Sequence, residues 1–330
     1  MTTLTATTAQ QAPLDVVTLG EAMAMFVAAQ TGDLAEVETF TKRIAGAELN
    51  VAIGLARLGM NVGWVSRVGN DSFGRFTLQQ LKKEGINYRQ VTVDGHYPTG
   101  FQVKSKTADG TDPSVEYFRK GSAASHLSVA DFNPEYFGSA RHLHLSGVAA
   151  ALSSESLALC HHAAREMRAM GKTISFDPNL RPVLWPSREV MIEQLNQLAF
   201  AADWVLPGLK EGQILTGQST PEGIADFYLE RGVQAVIIKT GPDGAWFKTA
   251  AGDTAGVAAV KVDNVVDTVG AGDGFAVGTL SALLEGKTLI QAVQRGNKIG
   301  SLAIQAIGDS EGLPTRAARA EKQKKNDFSA

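Results

Sequence analysis

Short apolar runs alternate with amphipathic helical stretches through most of this chain, and few folds accept that alternation. The strand-like runs are DVVTLG (15–20), VGWVSRVG (62–69), RHLHLSG (141–147), TISFDP (173–178), DWVLPG (203–208) and AVIIKTG (235–241). Helical patterns fall near 46–59, 73–85, 153–171, 187–200, 221–232, 273–285 and 288–306, with Gly59, Gly85 and Gly171 where C-terminal caps belong. Strands separated by helices pair in parallel, and the helices then cover both faces of the sheet. The expected fold is α/β with a mostly parallel sheet.

Two segments, 21–45 and about 88–121, break the alternation. The second carries turn signals at Asp94-Gly95 and Asp109-Gly110 between strand-like runs. Both are expected to form a small antiparallel β lid over a site. The 330 residues suffice for one large domain, expected at 14–315, with a disordered tail at 1–13 and a polar tail at 316–330. A net charge of −3 gives no electrostatic reason to expect nucleic acid. No apolar run is long enough to suggest a transmembrane helix, and MTTLTATTAQQAP lacks the basic-then-apolar order of a signal peptide. The single cysteine, Cys160, allows no internal disulfide, and the expected compartment is the cytoplasm.

The stretch DTVGAGDGF (267–275) carries the chemistry. Phe275, Ala276, Leu280, Leu283 and Leu284 share one helical face, so Gly270, Ala271 and Gly272 form the turn into a helix start. A helix start presents unpaired N–H groups and a partial positive charge, and small residues let a phosphate approach them. Asp273 sits in the first turn; as an isolated acid it would be an ordinary cap, but a cap needs no cluster of glycines. Two nucleotide-binding patterns are excluded. The GKT tripeptides at 171–173 and 286–288 lack the required earlier glycine, having Glu166 and Ser281 there, and G-x-G-x-x-G from Gly270 fails at Phe275. The latter also disfavours a dehydrogenase.

DTVGAGDGFAVG resembles the C-terminal hallmark of the ribokinase-like (PfkB) carbohydrate kinases, and AGAELNVAIGLARLG (45–59) with RVGNDSFG (67–74) resembles the N-terminal one. The resemblance covers about residues 14–315. Within the family, EYFRKGSAAS (116–125), LHLSGVAAALS (143–153), DPNLRPVLW (177–185) and GDSEGLP (308–314) are most similar to 2-keto-3-deoxygluconate kinases; DPNLRPVLW also occurs in ketose kinases. The resemblance implies a ribokinase-like fold and an ATP-dependent sugar kinase using Mg2+, and it leaves open a monovalent cation at the Asp267 carbonyl region, as in some relatives. It implies Asp273 as the base and the amides of Gly270, Ala271 and Gly272 as the anion hole. It implies Gly46, Asn50, Gln102, Tyr117, Arg119, Arg181 and Asp309 around the sugar. Lys239, Gly241, Gly244 and Asn297 would flank the nucleotide, and Glu211 would belong to the magnesium element. It also implies a homo-oligomer, dimer or higher, paired through lid sheets.

Three departures stand out: Ala45 replaces the first of a Gly-Gly pair, Gly208 replaces the Asn of N-x-x-E, and Gln102 stands where some relatives carry Tyr. Arg119 and Arg181 suit an acidic sugar, because a guanidinium fork matches a carboxylate. The rival readings are a kinase of fructose, tagatose or another ketose, and a silent sugar or nucleotide sensor. His142 and His144 share one face of a strand and are expected to be packed rather than metal-bound; Cys160 and the four tryptophans, Trp64, Trp185, Trp204 and Trp246, are expected in the core.

Overall fold

A computed structural model describes residues 13–107, 113–262 and 264–318. Residues 1–12 of the expected tail at 1–13, the Asp109-Gly110 turn and residues 319–330 lie outside the described residues. The strands are β1 (Leu14–Leu19), β2 (Met23–Thr31), β3 (Phe40–Ala45), β4 (Val62–Gly69), β5 (Asn87–Asp94), β6 (Phe101–Lys106), β7 (Val115–Phe118), β8 (Ala140–Ser146), β9 (Thr173–Asp177), β10 (Trp204–Val205), β11 (Ala235–Lys239), β12 (Ala245–Thr249) and β13 (Thr254–Val257). The helices are α1 (Ala47–Arg57), α2 (Ser72–Lys83), α3 (Pro134–Gly138), α4 (Gly147–Ala150), α5 (Ser154–Ala169), α6 (Arg188–Phe200), α7 (Leu209–Thr216), α8 (Pro221–Leu229), α9 (Ala271–Leu284) and α10 (Leu289–Ala303).

The large sheet runs β13-β12-β11-β10-β9-β8-β1-β4-β5. It is parallel from β5 to β11 and antiparallel only at β12 and β13. Successive residues of β1 point to opposite faces, so Val17 joins one buried cluster with residues of α5, α6 and α8, and Val16 joins another with residues of α1, α9 and α10. Helix starts follow the local chemistry. The Asp71 side chain accepts from the amides of Phe73 and Gly74 at the start of α2, and Ser153 caps α5.

The expected strand at 203–208 shortens to β10. Beyond it the Leu206 amide still donates to the Phe176 carbonyl, and then Pro207, which has no N–H, interrupts the ladder before Gly208 bridges Lys239. The sequence pattern does not reveal the hairpin partners β12 and β13, which are only five and four residues long, β12 half-buried and β13 half-exposed.

The second sheet has the order β3-β2-β6-β7. Its outer ladders are antiparallel, and its central β2–β6 pair is parallel. The expected lid range of 88–121 needs one correction. Residues 88–94 belong to β5, which pairs with β4 at the edge of the large sheet. An edge strand is half-buried and alternates in polarity like a lid strand, so the pattern did not separate them.

Open parallel sheets leave a crevice beyond the carboxyl ends of their strands. Here β9 ends at Asp177 and β11 at Lys239, beneath the small sheet and facing the first turns of α1 and α9.

Candidate active site

A cavity of about 570 Å³ opens at that edge. Gly270, Ala271, Gly272 and Asp273 line it at the start of α9. Gly270 has φ +86° and lies so close to the 309 segment that a Cβ would come within 2.5 Å of the Asp309 carbonyl oxygen. Only glycine meets both demands comfortably. Gly46, at the start of α1, has φ +148°, and a Cβ there would collide with the Glu21 carbonyl.

Asp273 is reached from α1 by Asn50, whose Nδ2 donates to Asp273 Oδ2 at 2.8 Å. The bond joins residues 223 positions apart and aims the carboxylate into the cavity. Burial pushes the Asp273 carboxyl up to about 8; the Asn50 bond opposes the shift and the neighbouring Asp177 and Asp309 carboxylates add to it. The result is a base far stronger than an ordinary aspartate, with an affinity for protons matched to near-neutral chemistry.

Lys239 approaches the same turn. Its Nζ donates to Asp177 Oδ2 at 2.7 Å and lies 3.6 Å from where a Cβ on Gly272 would stand. Burial works against the ammonium, but Asp177 and Glu211 outweigh it and hold its affinity for the proton above the ordinary value. Glu211 Oε1 accepts from the Leu180 amide at 2.8 Å and Oε2 from the Gly208 amide at 2.7 Å, so this acid anchors two loops as it lines the cavity.

The lid sheet supplies the opposite wall. Gln102 and Lys104 alternate inward along β6 and are buried, while Tyr117 and Arg119 follow on and after β7. Arg119 Nη2 pairs with Glu21 Oε2 at 2.6 Å, and its guanidinium stands 5.8 Å from the Tyr117 ring. Arg119 Nε and Asn50 Oδ1 are buried without a hydrogen-bond partner among the described residues, and both belong to side chains of the cavity wall. Such atoms mark where a ligand's polar groups would be welcome. Arg181 lines the cavity from the turn after β9, its Nη1 donating to the Leu180 carbonyl at 2.9 Å; Asp309 closes the far side.

Three expected nucleotide neighbours stand outside this cavity. Gly241 and Gly244 form the tight turn from β11 to β12, with Gly244 against the Val257 carbonyl. Asn297 on α10 donates from Nδ2 to the carbonyls of Val257 and Ala258, at 3.0 and 2.9 Å. Gly244 and Asn297 therefore meet at residues 257–258, on a wall of their own.

Pattern reading overlooked Glu21, Lys104 and Asp177 as site residues. Asp177 had a signal, the end of a strand at the crevice. Lys104 had none, because an isolated lysine on a half-polar strand reads as a solvated side chain. The bland expectations for other residues fit the geometry. His142 lies 2.8 Å from both Thr173 Oγ1 and Ser175 Oγ, and His144 lies 2.9 Å from Ser175 Oγ. Burial pulls His144 down to about 3, with Lys239 adding to the effect, so it stays neutral. Cys160 and Trp64 are fully buried, and Trp185, Trp204 and Trp246 pack against the core.

Residues 13–316 match the model of the pfkB family carbohydrate kinases. The chain is 53% identical over 325 residues to the 2-dehydro-3-deoxygluconokinase of Bacillus subtilis (strain 168), covering 96% of this chain and 99% of that one. Among solved structures, the PfkB protein from Polaromonas sp. JS666 superposes with a TM-score of 0.86 at 51% identity, covering 93% of this chain and 99% of that one. An E. coli protein described as a ribokinase II, solved with ATP and Mg2+, gives 0.86 at 27% identity over 94% and 99% of the two chains.

Proposed function

The chain belongs to the pfkB family of carbohydrate kinases, and from that premise we propose that it transfers a phosphoryl group from ATP to the terminal hydroxyl of 2-keto-3-deoxygluconate. This compound and 2-dehydro-3-deoxygluconate are the same sugar acid. The product is 2-keto-3-deoxy-6-phosphogluconate. The observation that carries the reading is the cavity-lining Asp273 carboxylate beside a glycine-led helix start, in a cavity that also holds two arginines.

ATP with Mg2+ supplies the phosphoryl group and part of the charge neutralisation. The donor set fits both. The Gly270 turn is a cradle that a Cβ would fill, and Lys239 stands beside it. Mg2+ takes oxygen ligands and keeps much of its water. Asp177 and Glu211 already accept bonds from the protein, so the ion would be held largely through phosphates and water. The nucleotide's base would lie toward the wall made by Gly241, Gly244 and Asn297. A monovalent cation near Asp267 fits poorly, because Lys104 Nζ stands 2.6 Å from Asp267 Oδ2.

Asp273, aimed by Asn50, takes the proton of the attacking hydroxyl. The amides of Gly270, Ala271 and Gly272 receive the charge that develops on the phosphoryl oxygens. Arg181 and Arg119 offer donors to the sugar carboxylate, with Gly46, Gln102, Tyr117 and Asp309 shaping the pocket around the rest.

Residues 14–315 act as one kinase domain, in line with the family match over 13–316. Among the described residues no helix is long and apolar enough to cross a membrane, and we assign the enzyme to the cytoplasm, where ATP is plentiful. The outer edges of β3 and β7 carry no partner strand among the described residues, which supports a homo-oligomer paired through the lid.

The test is a panel of 2-keto-3-deoxygluconate, fructose and tagatose with ATP and Mg2+, read by coupled ADP release. The sugar acid should give the highest kcat/KM, and Arg119→Ala or Arg181→Ala should depress it more than turnover of the neutral sugars. A lead for fructose or tagatose would overturn the substrate, and sugar binding without ADP release would overturn catalysis itself.

A further inference from the structure

Lys104 reaches from the lid into the loops that shape the helix start. Its side chain is only 2% exposed. Its Nζ donates to Asp267 Oδ2 at 2.6 Å and to Asp309 Oδ1 at 3.0 Å, residues 163 and 205 positions away. Both acids touch the phosphoryl-binding turn. Asp267 Oδ1 accepts from the Val269 amide at 3.1 Å, which bends the chain just before Gly270. The Asp309 carbonyl abuts Gly270 itself. Without a cation between them, two nearly buried carboxylates would repel each other beside a place that must receive a polyanion. Burying an ammonium is unfavourable in itself, so its position calls for a reason beyond stability.

We propose that Lys104 is a positioning residue that serves as the resident monovalent cation of the phosphoryl-binding turn, holding Asp267 and Asp309 together from the lid. A lysine ammonium suits this place, being a compact point charge on a flexible stem. Because Lys104 is carried by β6, the same contact ties the lid to the turn. Arg43 of β3 makes a second tie, to Glu311 at 3.2 Å. The proposal rests on the kinase reading of the cavity, and its test separates the two.

Initial rates of the wild type are measured at constant ionic strength in sodium, potassium and tetramethylammonium chloride. The rates should be the same, since the cation is built in. Lys104→Met should lower kcat by about 10²-fold with a much smaller change in sugar KM, as expected when a reacting group is displaced slightly. Potassium or ammonium should restore part of that loss in the variant and do nothing for the wild type. They should also raise the thermal transition of the variant alone, a readout that needs no turnover. Strong potassium activation of the wild type would overturn the proposal, and so would wild-type kcat in Lys104→Met without added cation. An equal loss in every salt would reduce Lys104 to a structural contact and overturn it as well. Should Lys104→Met not fold, the salt response of the wild type decides. Should the wild type phosphorylate no sugar, the kinase reading falls, and the cation-dependent thermal transition still reports on Lys104.

Discussion

The nine-stranded sheet is covered on both faces, and Val17, Leu19, Leu143, Leu145, Ile174, Phe176, Val236 and Ile238 all lie in one of its buried clusters. The four-stranded lid has a core of Met25, Val27 and Ala45. Beyond that, a row of rings from Phe26 through Phe73 and Phe101 to Phe118 joins the lid to α2, with centroids 4.6–5.5 Å apart and Phe118 half-exposed. Ile44 of β3 packs into a cluster of the body, and charged ties add to it: Lys104 to Asp267 and Asp309, and Arg43 to Glu311. The body is held by apolar burial, which is insensitive to the state of the site. The lid relies more on ion pairs, two of them from Lys104 to acids that flank the Gly270 turn, so the charge around the cavity bears on how firmly the lid is held.

The sharpest way to test this division is Asp273→Asn, which changes site chemistry inside the body. We expect kcat to fall by about 10²–10⁴-fold with the fold intact. In the wild type, activity should rise with pH along a limb centred near 8, as burial holds the proton on Asp273 to about that point. Stability should move the other way. The folded carboxyl keeps its proton well above the ordinary value of 3.8, so the folded state binds more protons than the unfolded one between 3.8 and about 8. Wild-type stability therefore declines through that window and the asparagine variant escapes the decline. Thermal melts of both proteins across it check the sign; a variant that loses stability relative to wild type as pH rises would refute it.

A core pair probes the two sheets directly. Phe176→Ala in β9 should cost about 3–5 kcal/mol by denaturant unfolding, as a fully buried ring leaves a cavity. Phe118→Ala in β7 should cost about 1 kcal/mol, the worth of a half-exposed stacked pair. Equal costs would dissolve the distinction between body and lid. The smallest effect is expected from Arg43→Ala. Its ion pair is part-exposed on both sides, so it should contribute about 1 kcal/mol or less and fade as salt is added. A salt-insensitive loss would show that the tie acts through packing.

Legibility in the sequence followed the same line. The expected helix at 273–285 corresponds to α9 with a start only two residues earlier, and the run 62–69 is β4 residue for residue. The placement of Asp273 and Gly270 at a helix start is readable because the motif is local and the glycines have a steric reason; Asn50 enters only through the family resemblance. Gln102 and Lys104 share one face of FQVKSK, which the period of two makes plain. Nothing in that period says whether the shared face meets water or the wall of a cavity. The same ambiguity put residues 88–94 in the lid, although β5 completes the large sheet. The sequence presents Arg119 as a candidate ligand contact, but its Glu21 partner, almost one hundred positions earlier, is not foreseeable from spacing.

The order of residues alone determined that strands and helices alternate, that a parallel sheet results, and that an acid follows a glycine turn at a helix start. Those are consequences of periodicity and sterics between near neighbours. Tertiary structure decided which charges exist and where: that the surroundings of Asp273 push its carboxyl up to about 8, and that Lys104 stands between two carboxylates far along the chain. Desolvation and ion pairing act through space, and the chain must close on itself before either has a value.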